Sequence, residues 1–150
     1  MNSRTGGQCV TVRRRIAAGA AELFDAWLDA ASLAAWMRPG QVLRTAAKVD
    51  ARVGGAYEVV MHRAGDSVLH TGVYREIDRP RRLVFTWISP ATELRESLVT
   101  VDFHALGTGG TEVVVTHERL PDGEAGPSHT EGWTLALEKL ASLPRSPAGT

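Results

Sequence analysis

The order in which the predicted elements follow one another constrains the fold of this sequence more than any other feature. A strand pattern comes first and two short apolar helices follow it. Strands and turns then alternate until a long amphipathic helix, predicted over residues 128–143. Such a helix must cover its apolar stripe, and the concave face of an antiparallel sheet is the surface available for that. We therefore predict an α+β domain with a cavity between helix and sheet, where function would be located.

Apolar spacing and capping residues predict where the helices lie. Residues 20–28 and a segment that Asp29 can cap predict the two short helices. Ser128 and Glu131 have the spacing of a capping box, in which each side chain satisfies a free backbone N–H of the other. Trp133 then begins an apolar face with helical spacing. The last helix is therefore predicted to begin at Ser128.

Alternation predicts which strand residues face the last helix. One arginine breaks the pattern, because Arg14 shares the phase of Val12 and Ile16 in the first strand. An inward guanidinium needs a partner such as Glu76 or Glu118, unless it lies at the sheet edge or binds a ligand anion. The residues predicted to face the helix are Leu83, Phe85, Trp87, Val99, Val101, Val113 and Val115.

Composition excludes several classes of protein. Hydrophobic residues make up 43% of the chain, and 17 Lys and Arg balance 17 Asp and Glu, so no basic surface for nucleic acid is predicted. Cys9 is the only cysteine, and no apolar run approaches the ~18 residues of a membrane span. We expect a cytoplasmic monomer or homodimer with one domain, residues 8–143, and flexible tails at 1–7 and 144–150.

Several short motifs carry a resemblance to a known family. The motifs are Val12-x-Arg14-x-Ile16, the pair Trp27 and Trp36, Val53-Gly54-Gly55-x-Tyr57, Arg82-Leu83-Val84-Phe85-Thr86-Trp87, Gly110-Thr111-x-Val113-x-Val115-Thr116-His117-Glu118, and Gly132-Trp133. In the order and spacing of these motifs the sequence resembles the SRPBCC, or START-like, superfamily, in the branch named after the C-terminal domain of the Hsp90 ATPase activator. The resemblance implies a helix-grip (Bet v 1/START-like) fold, in which seven antiparallel strands wrap around the last helix. It also implies a deep hydrophobic cavity for lipids, polyketides or aromatic metabolites.

His117 is the first candidate for a polar group in the cavity. It shares the phase of Val113 and Val115, so its ring is predicted to point inward, where it would orient a ligand or exchange a proton. The alternative is a structural histidine hydrogen-bonded to its surroundings. His104 and His129 are expected to face solvent, so neither a metal site nor a confident catalytic residue is predicted. The sequence carries no nucleotide-binding or hydrolase motif, and we predict no cofactor.

The predicted ligand site combines aromatic, thioether and hydroxyl side chains. They support three functions: a binding domain for a hydrophobic or aromatic small molecule, a cyclase or aromatase acting on a polyketide, and a protein that interacts with a chaperone. The first requires only an apolar cavity, whereas the second requires a convergent acid/base pair. The predicted ligand-binding residues are Trp36, Met61, Tyr74, Phe85, Trp87, Ser97, His117 and Trp133.

Overall fold

The computed structural model describes residues 7–107 and 109–143 of the chain. Apart from Gly7, the tails expected at 1–7 and 144–150 lie outside the described residues. None of the described helices is long and apolar enough to cross a membrane. The elements are β1 (Gln8–Ile16), α1 (Ala20–Leu28), α2 (Ala30–Trp36), β2 (Arg44–Val49), β3 (Ala56–Arg63), β4 (Asp66–Asp78), β5 (Arg82–Trp87), β6 (Ser97–Ala105), β7 (Thr111–Leu120) and α3 (Ala125–Ser142).

The seven strands form one antiparallel sheet with the order β1-β7-β6-β5-β4-β3-β2. The first two strands in the sequence, β1 and β2, therefore lie at opposite edges. Together with α3 and the two short helices after β1, this arrangement confirms the predicted helix-grip fold. The strand residues predicted to face the helix are all buried, with exposed fractions of 4% or less.

The long strand β4 joins the two halves of the sheet. Its first part pairs with β3 and its last part with β5, with an irregularity in register after Tyr74. Gly72 lies in between, and a Cβ atom there would overlap the backbone oxygen of Thr86 and the ring of Tyr57. The Tyr57 hydroxyl donates to that same Thr86 oxygen at 2.5 Å. Glycine is therefore required for the close approach of strands at this position.

The two short helices begin where the sequence predicts, α1 at Ala20 and α2 directly after Asp29. The Asp29 carboxylate accepts a hydrogen bond from the backbone N–H of Ser32 at 2.9 Å, so Asp29 caps α2 as expected. Trp27 of α1 and Trp36 of α2 meet edge-on with ring centroids 4.6 Å apart. This aromatic contact holds the two helices together beneath the sheet.

The last helix begins earlier than its sequence predicts. α3 starts at Ala125, the Ser128 N–H donates to the Glu124 backbone oxygen at 2.9 Å, and the N-cap Glu124 makes no side-chain capping bond. The capping box predicted for Ser128 and Glu131 is therefore wrong. Pro127 lies within the first turn, where the missing N–H costs little because those donors have no partner inside the helix.

A short 3-10 helix, Pro90–Thr92, connects β5 to β6 and was not anticipated from the sequence. It has its own capping box, because the Ser89 hydroxyl accepts from the Ala91 N–H and the Thr92 hydroxyl accepts from the Ser89 N–H. The next two residues, Glu93 and Leu94, adopt positive φ angles of 58° and 60°. This connection lies at the open end of the sheet, beside the cavity described below.

Candidate functional site

A cavity of about 140 Å³, here called the inner cavity, lies between α3, the end of α2 and strands β3 to β5. It is smaller than the roughly 300–1,000 Å³ that is common for ligand sites. Two small residues of α3, Gly132 and Ala136, leave room on the helix side. The larger side chains that line it are Met37, Met61, His70, Trp87, His129 and Trp133.

The inner cavity opens into a wider depression of about 400 Å³, here called the outer groove. The two share Pro39, Met61, His70, Ala91, Ser128 and Gly132 as lining residues. Charged side chains reach only the outer groove, where Arg63 and Glu131 border it. A molecule could therefore place an apolar part inside and a polar part outside.

Aromatic rings explain why the inner cavity is small. The Trp133 ring lies 5.2 Å from that of Trp87 and 5.9 Å from that of Trp27. Phe85 and Tyr57 meet edge-on at 5.6 Å on the same side of the sheet. These rings occupy most of the space between helix and sheet.

The predicted aromatic and thioether lining residues lie in three different places. Met61, Trp87 and Trp133 line the inner cavity. Tyr74 and Phe85 border only a separate crevice of about 10 Å³, roughly the volume of one water. Trp36 is fully buried, and its indole N–H donates to the Ala26 backbone oxygen at 3.0 Å. Trp36 packs against Trp27 and lines neither the inner cavity nor the crevice.

Ser97, His117 and Trp133 form a buried chain of hydrogen bonds. The Trp133 Nε1–H donates to His117 Nδ1 at 3.0 Å. Because an indole can only donate, the second imidazole nitrogen carries the proton of the neutral ring. That Nε2–H donates to Ser97 Oγ at 2.7 Å, and the Ser97 hydroxyl donates to the Trp87 backbone oxygen at 2.6 Å. Both ring nitrogens of His117 are thus occupied by protein groups.

The environment of His117 keeps its ring neutral. Its side chain is fully buried, and burial first and the neighbouring His129 second lower its pKa to about 3. Neither His117 nor Ser97 lies among the residues that line the inner cavity. Their geometry is that of a satisfied polar cluster behind the cavity wall.

Two histidines that do line the inner cavity were not identified from the sequence. His70 is 7% exposed and its ring lies 4.8 Å from that of Trp87. It shares the strand phase of Tyr74, a signal that could have placed it inward. His129 is 9% exposed, so the expectation that it faces solvent is wrong. Because α3 begins at Ala125, His129 lies one turn before Trp133 on the buried face.

The remaining polar predictions have mixed outcomes. His104 is exposed, as expected. Arg14 is exposed on the edge strand β1, so the sheet-edge position, one of the alternatives that its strand phase left open, is the one observed, and no buried partner is needed. In the described part of the chain, no group of three or more His, Cys, Asp or Glu side chains is arranged to hold a metal ion.

Two indole donors remain unpaired in the core. The Nε1–H groups of Trp27 and Trp87 are buried without a hydrogen-bond partner in the described residues. Leaving such a donor unsatisfied costs about 1–3 kcal/mol. Both rings border the small crevice, and Trp87 also lines the inner cavity. Both nitrogen atoms are enclosed by the packed core, so neither offers a donor to a molecule in the inner cavity.

Comparisons with known proteins identify relatives across nearly the whole chain. The family model for activator of Hsp90 ATPase homolog 1-like protein matches residues 17–144. A search of curated proteins found no match.

Among solved structures, the crystal structure of protein CV1439 from Chromobacterium violaceum is similar with 26% identity and a TM-score of 0.80, covering 91% of this chain and 98% of that one. PFC0360w, an HSP90 activator from Plasmodium falciparum, is similar with 27% identity and a TM-score of 0.71, covering 89% and 94%. CalU16 from Micromonospora echinospora shares the fold at 23% identity and a TM-score of 0.67, covering 88% and 73%.

Proposed function

The chain belongs to the activator of Hsp90 ATPase homolog 1-like family, and within that family we propose that it binds a small apolar molecule in the inner cavity. The observation that carries the proposal is the opening of this aromatic-lined cavity into the outer groove. Stacking on Trp87 and Trp133 and contact with the thioethers of Met37 and Met61 favour a flat, ring-containing molecule.

Binding is favoured over catalysis because the polar groups of the site are poorly suited to proton transfer at neutral pH. Burial is the main cause that lowers the pKa of His70 to about 4. A ring with so low a pKa is a weak general base at neutral pH. Both ring nitrogens of His117 already form hydrogen bonds within the protein. A cyclase-type reaction would need an acid/base pair beyond these groups.

The proposal is tested by filling the cavity from the helix side. A Cβ atom at Gly132 would meet no atom within 4 Å, so a leucine there enters the open space without displacing the backbone. The control is Glu138→Leu, which adds the same side chain on the exposed side of α3.

Thermal denaturation would be followed with a panel of neutral aromatic compounds of one to three rings. A ligand at a hundred times its Kd stabilises by about 2.7 kcal/mol, which raises the Tm by roughly 5–10 °C at this chain length. We expect the shift in the wild type and in Glu138→Leu, and its loss in Gly132→Leu. If no compound shifts the wild type, or if Gly132→Leu responds equally, the inner cavity is not a ligand site.

A second candidate function is stimulation of the Hsp90 ATPase. Two findings favour it: the family match, and the similarity to PFC0360w, an HSP90 activator. Purified protein would be added to Hsp90 and the rate of ATP hydrolysis measured. An increase that is unchanged in Gly132→Leu would support a surface interaction separate from the cavity, and a constant rate would contradict this function.

A further inference from the structure

The two histidines of the inner cavity are held in the same way. His129 Nδ1 lies 2.7 Å from the Ala125 backbone oxygen, and His70 Nδ1 lies 3.2 Å from the Val59 backbone oxygen. A carbonyl oxygen can only accept, so each Nδ1 must carry a proton. The backbone of α3 and of β3 thereby fixes both rings in one orientation and one tautomer.

The second nitrogen of each ring has a free lone pair when the ring is neutral. Burial is the main cause that lowers the pKa of His70 to about 4 and also lowers the pKa of His129. Both rings are therefore neutral at physiological pH. In the part of the chain that the structure describes, neither Nε2 forms a hydrogen bond to protein, although the Val68 backbone also contributes to the environment of the His70 ring. The cavity thus contains two hydrogen-bond acceptors to which no protein group donates.

Charge and size limit what these acceptors can bind. Among the described residues that line the inner cavity, none carries a charge at neutral pH. A buried carboxylate would lose its hydration without gaining a counter-ion, and it would face two lone pairs. A volume of about 140 Å³ is close to that of an engineered cavity of about 150 Å³ in another protein, which accommodates benzene. One aromatic ring therefore fills the inner cavity, and any larger part extends into the outer groove.

We propose that the ligand is a neutral aromatic molecule whose inserted ring carries a hydrogen-bond donor, such as a phenolic hydroxyl, and that Nε2 of His70 or of His129 accepts the hydrogen bond. This inference rests on the proposed binding function and adds the chemical class of the ligand. It separates the site from a purely apolar cavity, which would rank ligands by hydrophobicity alone.

The test uses four probes that share a single ring: 4-methylphenol, 4-methylanisole, toluene and 4-methylbenzoate. Their dissociation constants would be measured by isothermal titration calorimetry at pH 7.5. We expect 4-methylphenol to bind at least about five-fold more tightly than 4-methylanisole or toluene, as one added hydrogen bond of about 1 kcal/mol implies. We expect no measurable binding of 4-methylbenzoate. A cavity that ranked the three neutral probes by hydrophobicity alone would instead bind 4-methylphenol least tightly.

Variants then identify the acceptors. His70→Phe and His129→Phe keep a ring in place but remove Nε2, and the same change at the exposed His104 is the control. The preference for 4-methylphenol over 4-methylanisole should fall in the variant that removes the accepting Nε2, while toluene still binds; an unchanged preference in both variants would overturn the inference. NMR spectra of wild-type protein with ¹⁵N-labelled histidine provide a measurement that needs no variant. The Nε2 resonances of the Nδ1–H tautomers should shift when 4-methylphenol is added and not when toluene is added.

The outcomes separate this inference from the function on which it rests. If toluene and 4-methylanisole bind as tightly as 4-methylphenol and Gly132→Leu abolishes all three, the cavity binds ligands but the donor requirement is wrong. Tight binding of 4-methylbenzoate would likewise overturn it. If none of the four probes binds, the proposed function fails, and this inference fails with it.

Discussion

Acidification should destabilise this protein well above the pH at which its carboxylates titrate. His70, His117 and His129 are buried, and their pKa values in the folded state are lowered from the ordinary value, to about 4 for His70 and about 3 for His117. In the unfolded chain each ring titrates near pH ~6.5. Below that pH the unfolded state binds protons that the folded state does not. The contribution that these neutral, buried rings make to the free energy of unfolding is therefore fully present above about pH 6.5, and it is lost as the pH falls toward about 4.

The size of the effect follows from the number of rings. A histidine that is charged when unfolded and neutral when folded changes the free energy of unfolding by about 1.4 kcal/mol per pH unit. His70 and His117, whose folded pKa values lie below 5, give a slope on the order of 3 kcal/mol per pH unit near pH 5, and the lowered pKa of His129 adds to it in the same direction. Domains are typically stable by about 5–15 kcal/mol, so a large part of the stability is expected to be lost by about pH 4. The ion-paired Asp25 has a lowered pKa, so its contribution is lost only below about pH 4.

Urea unfolding at pH 7.5, 6.5, 5.5 and 5.0, followed by circular dichroism, measures this slope. His70→Phe should reduce the slope near pH 5 by about 1.4 kcal/mol per pH unit, because its buried ring no longer titrates. His104→Phe should leave it unchanged, because His104 is exposed. A free energy of unfolding that stays constant between pH 7.5 and 5.0 would refute the assignment of three buried neutral histidines.

Three further substitutions test the packing of α3. Trp133→Phe removes the donor to His117 Nδ1 and leaves a void in the core. It should therefore lower the free energy of unfolding, measured in urea, by about 2–4 kcal/mol. A loss below about 0.5 kcal/mol would contradict the hydrogen bond at this buried site. Gly132→Ala should stabilise by about 0.5–1 kcal/mol, because Gly132 lies in a helix with open space around it. Gly126→Ala should instead destabilise by about 1 kcal/mol, because the new methyl group would displace the Gln8 amide, which donates to two backbone oxygens. Equal effects of the two glycine substitutions would show that packing does not distinguish these positions.

The type and order of the elements could be predicted from the sequence because they depend on local patterns. Alternation in β5, β6 and β7 predicted which side chains are buried, and every one of them is. The bounds of α1 and the Asp29 cap of α2 were also predicted correctly. These features depend on residues a few positions apart, where strand and helix periodicity is a strong signal.

The ends of the helices and strands were less predictable than their types, and one such error changed the predicted site. Ser128 and Glu131 have capping-box spacing, but α3 begins at Ala125. That difference of three residues places His129 on the buried face rather than in a solvent-facing first turn. Tertiary packing, as well as capping residues, determines where a helix starts, so residue spacing alone could not predict the first residue of α3.

What the sequence by itself determined is the sheet-on-helix architecture and an inward-facing His117. Only the tertiary structure decided that Arg14 is exposed at a sheet edge, that His117 is occupied by Ser97 and Trp133, and that His70 and His129 line the cavity. It also decided the size of the cavity. That volume is the small space left after large rings from α1, β5 and α3 have packed against one another, and no local pattern encodes so small a difference.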